Sequence, residues 1–456
     1  YFFIFSKCSM VLSRDSNTLN YYMNKMKKTD RYLPYIMLVL LLITSCSQAP
    51  KLVIKHEFSI NKVSEVKTGI ENLEDNGFKP LKNKRVGLIA NATGVNRKLR
   101  STIDILFQSD DVNLVALFGP EHGVRGNYSA GEKVSSSIDD ETKLPVFALY
   151  GKTRKPTPEM LKNIDVLVYD IQDIGCRSYT YISTMGLAME AAAENNIEFI
   201  VLDRPNPLGG IKIEGNIVEK GFQSFVSQFP IPYVYGLTVG ELAQLINEEN
   251  MLSNGLKCNL TVISMDGWKR SMLFKDTGLP WVPTSSHIPN SSTPIFYVST
   301  GILGELGVLS NGVGYTLPFQ LIGGSWIESN QIANELNLLD LEGVVFKPIT
   351  YKPYYALGKN SHLTGVQLYF EDPLKVNLMS LQFLFMEIHQ KYYPEKSPFS
   401  LADPSRLNMF DKVMGTSKVR ELFSVNYKYS DIKSYLEKDI DSFRKMSRKY
   451  YLYEKD

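Results

Sequence analysis

Six short apolar runs, each closing in turn or polar residues and separated by segments of helical character, constrain this chain more than any other feature. They fall at 85–91, 112–118, 145–150, 165–170, 198–203 and 259–265. Helical patterns lie between them at 101–107, 157–163, 180–195 and 238–250. Runs of nearly continuous Val, Ile, Leu and Phe suit strands buried on both faces, and their alternation with helices implies a parallel sheet. A doubly wound α/β domain over about 68–275 is expected. Beyond it the chain is richer in Gly and Pro. Strands near 343–348 and 366–370 are followed by a helix at 377–392 and by charged helices near 418–423 and 432–450. A second, smaller α+β domain over 276–456 is expected there.

Composition adds mainly exclusions. Fifty basic against 48 acidic residues in 456 give a net charge of +2, so no global field invites nucleic acid. Four cysteines are too few for a disulfide-built scaffold, and Cys176 and Cys258 are expected to be free thiols. The 44% hydrophobic content supplies a full core without staples. No Gly-rich phosphate cradle follows the first strand, so neither a nucleotide nor a cofactor is expected. No P-loop, nucleophile elbow or zinc-protease histidine spacing occurs, and no metal is expected.

The first 46 residues read as an address. With a start at Met23 or Met26, Lys27, Lys28 and Arg31 precede an apolar run over 33–43 and then Thr44-Ser45-Cys46. A basic region, a short apolar stretch and small residues make a secretory signal, and the run is too short to span a bilayer. The sequence Ile43-Thr44-Ser45-Cys46 is similar to a lipobox, so Cys46 is expected to be lipidated and the mature protein anchored to a membrane of the cell envelope, facing the periplasm. Residues 47–67 are expected to form a polar linker.

Ligands of open parallel sheets sit beyond the carboxyl ends of the strands. Four of those ends carry polar groups: Asn91, then Glu121-His122, then Gln172-Asp173 with Arg177, then Asp203-Arg204 with Asn206. Glu121, in a Gly-flanked loop, is the candidate general acid or base, with His122 beside it. Asp173 and Asp203 either cap helices or supply a second catalytic group. Arg177 and Arg204 either pair with these carboxylates or grip an anionic substrate. Thr238 and Glu241 match a capping box, although Tyr235 just before them could present an aromatic edge to the cleft. Tyr179 and Trp281 are candidate sugar platforms or core residues, as is Trp268. Carboxylates among aromatics, without a cofactor, point to hydrolysis of a polar substrate, and glycoside cleavage is the natural member of that class.

Several stretches together resemble one bacterial family, the exo-β-N-acetylmuramidases. They include Val86-Gly87-Leu88-Ile89-Ala90-Asn91, Phe118-Gly119-Pro120-Glu121-His122-Gly123, Asp170-Ile171-Gln172-Asp173, Leu202-Asp203-Arg204-Pro205-Asn206-Pro207, Tyr235-Gly236-Leu237-Thr238 and Glu305-Leu306-Gly307. The resemblance implies a Rossmann-like domain without a nucleotide, a smaller C-terminal domain and a cleft between them. It also implies release of N-acetylmuramic acid from the non-reducing end of peptidoglycan fragments, with Glu121 as acid/base. Ala90, Asn311-Gly312-Val313-Gly314-Tyr315 and His362-Leu363-Thr364-Gly365 depart from the family pattern. A muropeptide-capturing lipoprotein and a hydrolase of other amino-sugar specificity are the alternatives.

Overall fold

The computed structural model describes residues 65–126 and 136–454. Cys46, the signal-like segment and most of the 47–67 linker lie outside the described residues. Among those described, no helix is long and apolar enough to cross a membrane.

All six apolar runs are strands of one seven-stranded sheet. They are β1 (Arg85–Ala90), β2 (Asn113–Gly119), β4 (Pro145–Ala148), β5 (Val166–Asp170), β6 (Glu198–Leu202) and β7 (Asn259–Ile263). These six pair in parallel in the order β4-β2-β1-β5-β6-β7, and the two-residue β3 (Ser137–Ile138) adds an antiparallel edge. The order runs outward from β1 to β4, then restarts on the other side with β5, so the topological switch lies between β1 and β5. Helices α1 (Gly69–Asp75), α2 (Thr102–Phe107), α3 (Pro158–Leu161), α4 (Tyr181–Glu194) and α5 (Val239–Glu248) accompany this sheet. Every residue of β5 is buried, as its unbroken apolar run requires.

The C-terminal part is more helical than its sequence pattern indicates. A three-stranded antiparallel sheet, β8 (Leu321–Gly324), β10 (Leu363–Phe370) and β9 (Val344–Tyr351) in that order, packs with α6 (Thr293–Glu305), α7 (Ser329–Asn337) and α8 (Ser380–Tyr392). Then follow α9 (Pro398–Leu401), α10 (Pro404–Met414), α11 (Lys418–Asn426), α12 (Tyr429–Glu437) and α13 (Ile440–Ser447). The helix expected over 432–450 is thus broken near Lys438 and Asp439, and α13 sends Phe443 into the core of the parallel sheet. Conversely, Ile174, Cys176, Tyr233 and Val234 from the α/β part belong to the core of the C-terminal part. Cys176 and Cys258 are both buried and unpaired.

Arg177 ties these two halves together. Its side chain is fully buried and donates to the carbonyl oxygens of Asn216 (2.6 Å), Ile231 (2.7 Å), Val413 (3.0 Å) and Met414 (2.8 Å), and to the Ser227 hydroxyl (3.3 Å). Burial lowers its pKa to about 10, which still leaves it charged at neutral pH. An ammonium cannot reproduce that planar fork. Arg177→Lys should therefore lose on the order of 2–4 kcal/mol of stability, because buried carbonyls are left without donors. Denaturant unfolding would read this as a lower midpoint; an unchanged midpoint would mean the fork is dispensable.

Candidate active site

The polar strand ends expected to converge are divided between two places. At the switch between β1 and β5 the space is filled by the side chains themselves. Asn91 accepts from the Thr93 backbone and hydroxyl (2.9 and 2.6 Å), and the Thr93 hydroxyl accepts from the Gln172 backbone (2.9 Å). Gln172 donates to the carbonyls of Asp173 and Pro205, both at 2.8 Å. Arg204 forms a buried pair with Asp170, with contacts of 2.5 and 2.8 Å, and a further bond to the Val95 carbonyl. The cavity left beside Thr93, Gln172 and Arg204 is about 20 Å³, room for little more than water.

The larger space lies off the ends of β2, β4 and β5, where the C-terminal part closes over the sheet. This cavity of about 300 Å³ is lined by Glu121, His122 and Tyr150, by residues 178–181, and from the C-terminal part by His287, Tyr297 and Glu305 among others. Glu121 lies in a tight turn after β2, closed by the Gly123 amide on the Pro120 carbonyl at 3.0 Å. His122 and Gly123 both adopt positive φ, 74° each. For a histidine this left-handed conformation is uncommon, and such strain collects at functional sites.

Two hydroxyls hold Glu121. Thr180 Oγ1 donates to its Oε2 at 2.9 Å, and the Tyr150 hydroxyl also bonds to it. Burial and the neighbouring carboxylate push the Tyr150 hydroxyl up to about 12, so Tyr150 acts as a donor throughout the physiological range. Tyr179 and Tyr181 form an edge-to-face pair at 5.0 Å, and their hydroxyls are fixed on Thr284, the first on its Oγ1 (2.9 Å) and the second on its carbonyl (2.6 Å). His287 bonds the Tyr355 hydroxyl at 3.0 Å; burial and the proximity of His122 lower its pKa. Of the residues singled out in the sequence, Glu121, His122 and Tyr179 therefore meet in one cavity.

The others hold the scaffold. Asp203 is fully buried and caps α5: it accepts from Thr238 Oγ1 (2.7 Å), the Gly240 amide (2.8 Å), the Arg204 amide (2.9 Å) and the Tyr453 hydroxyl (2.5 Å). Gly240 makes this possible, since a Cβ there would stand 2.8 Å from the Asp203 Cγ. Glu241 completes the capping box and pairs with buried Arg270 at 2.6 Å. Asn206 pins its own turn through the Leu237 carbonyl and the Leu208 amide, both at 2.9 Å. Trp281 packs edge-on against Phe274 at 4.8 Å and donates to the Ile288 carbonyl. Trp268 is buried. Arg177 and Arg204 have their guanidinium groups committed within the fold.

Asp173 accepts from the Tyr235 hydroxyl and from the Gly175 amide (2.8 Å), while its Oδ1 is buried with no partner. Neither Asp173 nor Asp203 lines the Glu121 cavity. Burial raises both carboxyls to about 6.

Sequence reasoning passed over Tyr150, His287 and Glu305. Tyr150 stood at the end of an expected strand but carried no charge to mark it, and Glu305 was quoted only within a longer motif. Arg154 was also missed: exposed after β4, its guanidinium lies 4.3 Å over the Phe225 ring and is near enough to Tyr150 to act on its hydroxyl electrostatically. Among the described residues, no three His, Cys, Asp or Glu side chains gather as a metal site would require.

Comparison with known proteins gives a concordant picture. The N-terminal and C-terminal family models described as exo-β-N-acetylmuramidase NamZ match residues 86–292 and 295–453. The peptidoglycan β-N-acetylmuramidase NamZ of Bacillus subtilis is 45% identical over 392 residues, covering 86% of this chain and 92% of the relative. Two crystal structures of DUF1343 family proteins from Bacteroides fragilis share the fold. One is 57% identical with a TM-score of 0.83, the other 29% identical with a TM-score of 0.70; each match covers 86% of this chain and 100% of the other.

The raised Asp173 carboxyl makes a testable statement about stability. The folded state holds its proton up to about pH 6, whereas an unfolded aspartate releases it near 3.8. Its contribution is therefore full below pH 4 and falls as pH rises towards 6. Asp173→Asn, which has no such proton to lose, should gain on the wild type across this window and keep a constant margin above it. Unfolding midpoints of both proteins at successive pH values would reveal this; a margin independent of pH would mean that Asp173 titrates normally.

Proposed function

This chain belongs to the exo-β-N-acetylmuramidase NamZ family, and from that membership we propose that it releases N-acetylmuramic acid from the non-reducing end of peptidoglycan fragments, with Glu121 as catalytic acid/base. The observation that carries the residue assignment is the position of Glu121 at the carboxyl edge of the sheet, in the cavity of about 300 Å³ and held by the Thr180 and Tyr150 hydroxyls. A carboxyl group aimed by two fixed donors keeps one geometry through the reaction, as general acid–base catalysis requires. A cavity of this size, lined by Tyr179, Tyr181 and Tyr297, suits a single terminal sugar, whose ring faces pack against aromatic edges.

Muramic acid differs from glucosamine by a lactyl ether that ends in a carboxylate. Arg177 and Arg204 are occupied by carbonyls and by Asp170, so neither serves as its anchor. Arg154 remains, with no hydrogen bond or ion pair to any described residue and its planar group already oriented on Phe225. We assign it the lactyl carboxylate. The apolar run at 33–43 and Cys46 support a lipid-anchored envelope protein, which would keep the enzyme where peptidoglycan fragments arise.

Hydrolysis of a chromogenic β-N-acetylmuraminide, beside the matching N-acetylglucosaminide, tests both assignments. The wild type should cleave the muraminide alone. Glu121→Gln should fold normally and lose roughly 10²–10⁴-fold in turnover; near-normal turnover would remove Glu121 from the mechanism. Arg154→Met should cost about tenfold or more in kcat/KM for the muraminide, chiefly through KM, as expected for a charge-assisted bond worth about 1.5–3 kcal/mol. An unchanged KM would place the lactyl anchor elsewhere.

A further inference from the structure

A glycosidase that works with carboxyl groups needs two participants, and the second need not be another strand-end residue. Asp173 and Asp203 point into the scaffold, and Asp170 and Glu241 are tied to buried arginines. Glu305 differs from all four. It lines the same cavity as Glu121 but comes from the C-terminal part, as the last residue of α6. Gly307, in the left-handed conformation at φ 67°, ends the helix just beyond it and fixes Glu305 in the final turn.

We infer that Glu305 is the second catalytic carboxyl of the site, the proton donor to the departing sugar, and that Glu121 serves the water that ends on the anomeric carbon. This rests on the muramidase reading above. The environments of the two groups are opposed. Glu121 accepts hydrogen bonds from Thr180 and Tyr150, which occupy the lone pairs of a carboxylate. Glu305 accepts no hydrogen bond and forms no ion pair with any described residue, and it sits at the negative end of a helix dipole. Burial raises its pKa, and Arg406 offsets this only from a distance. Two carboxyls in such different surroundings are the usual basis for dividing acid from base.

The step balances. The Glu305 carboxylic acid gives its proton to the glycosidic oxygen as the bond from that oxygen to C1 breaks, leaving Glu305 as a carboxylate and the rest of the fragment with a free hydroxyl. The water oxygen forms its bond to C1 and loses a proton to the Glu121 carboxylate. Transfer of that proton through solvent restores Glu305 to the acid form. One water is consumed and no electrons change hands. Burial, Arg406 and the helix end then act on the reaction through Glu305, by setting how readily it holds a proton.

Leaving-group dependence separates this role from a merely structural one. Glu305→Gln would be compared with Glu121→Gln and the wild type on two substrates: the natural muramyl–glucosaminyl disaccharide, and a dinitrophenyl muraminide whose leaving group departs without a proton. Glu305→Gln should lose roughly 10²–10⁴-fold in kcat on the disaccharide yet stay within about tenfold of the wild type on the dinitrophenyl substrate. The alkaline limb of its pH–rate profile should also disappear. Glu121→Gln should be impaired on both. Activity on the activated substrate is itself the check that Glu305→Gln is folded. Equal losses on the two substrates, or no loss on either, would overturn the assignment. A wild type that cleaves neither muraminide would instead overturn the muramidase reading, and the role of Glu305 with it.

Discussion

The buried Arg177 guanidinium sets the spacing on which the Glu121 cavity depends. Its four carbonyl partners come from the long connection between β6 and α5 and from the end of α10. The residues directly after it, Ser178 to Tyr181, form one side of the cavity, and Val413, whose carbonyl it binds, belongs to the lining contributed by the C-terminal part. A single charged group thus connects both linings through short, directional bonds. Such a joint is stiff because each carbonyl it satisfies would otherwise be buried without a donor. Thr180, which donates to Glu121, is three residues along the chain from this joint, so the placement of Glu121 inherits its rigidity.

The same economy of buried charge explains why most of the strand-end residues do not line the Glu121 cavity. A parallel sheet brings backbone ends, helix starts and long crossovers to one edge, and each leaves polar groups that need partners. Asp203 accepts four of those bonds, two of them at the start of α5, Glu241 and Arg270 neutralise each other below it, and Asp170 and Arg204 close the switch point. With that crevice filled, the usable space shifts outward to the loops after β2 and β4. The site therefore lies beside the topological switch rather than in it.

These facts also explain what the sequence could and could not reveal. The central parallel strands were legible because burial on both faces demands unbroken apolar runs, a signal independent of tertiary context, while the edge strand β7 is only partly buried. The helices around residues 293–305 and 404–414 were not. The first is apolar nearly all round and carries glycines, and the second opens with proline after a capping aspartate, so neither shows a clean amphipathic stripe. Glu121 stood out because a Gly-flanked carboxylate at a strand end has few structural duties there. Asp173, Asp203 and Arg177 showed the same pattern from residue type alone. Only the partners of their side chains distinguish a cap or a strap from a catalytic group, and those partners lie up to 250 residues away, as Tyr453 does from Asp203.

Glu305 illustrates the converse. Nothing local marks a glutamate in the last turn of a helix as reactive; the helix dipole argues against placing a carboxylate there at all. That local disfavour becomes useful once the C-terminal part folds over the sheet. A carboxyl that the helix end and burial keep from ionising easily is brought into the cavity of a carboxyl held by hydroxyl donors. The α/β part alone provides only the second of these. Closing one half of the chain over the other therefore does more than exclude water: it brings a carboxyl held by hydroxyl donors together with one that burial and a helix end keep from ionising easily, which neither half could arrange within its own core.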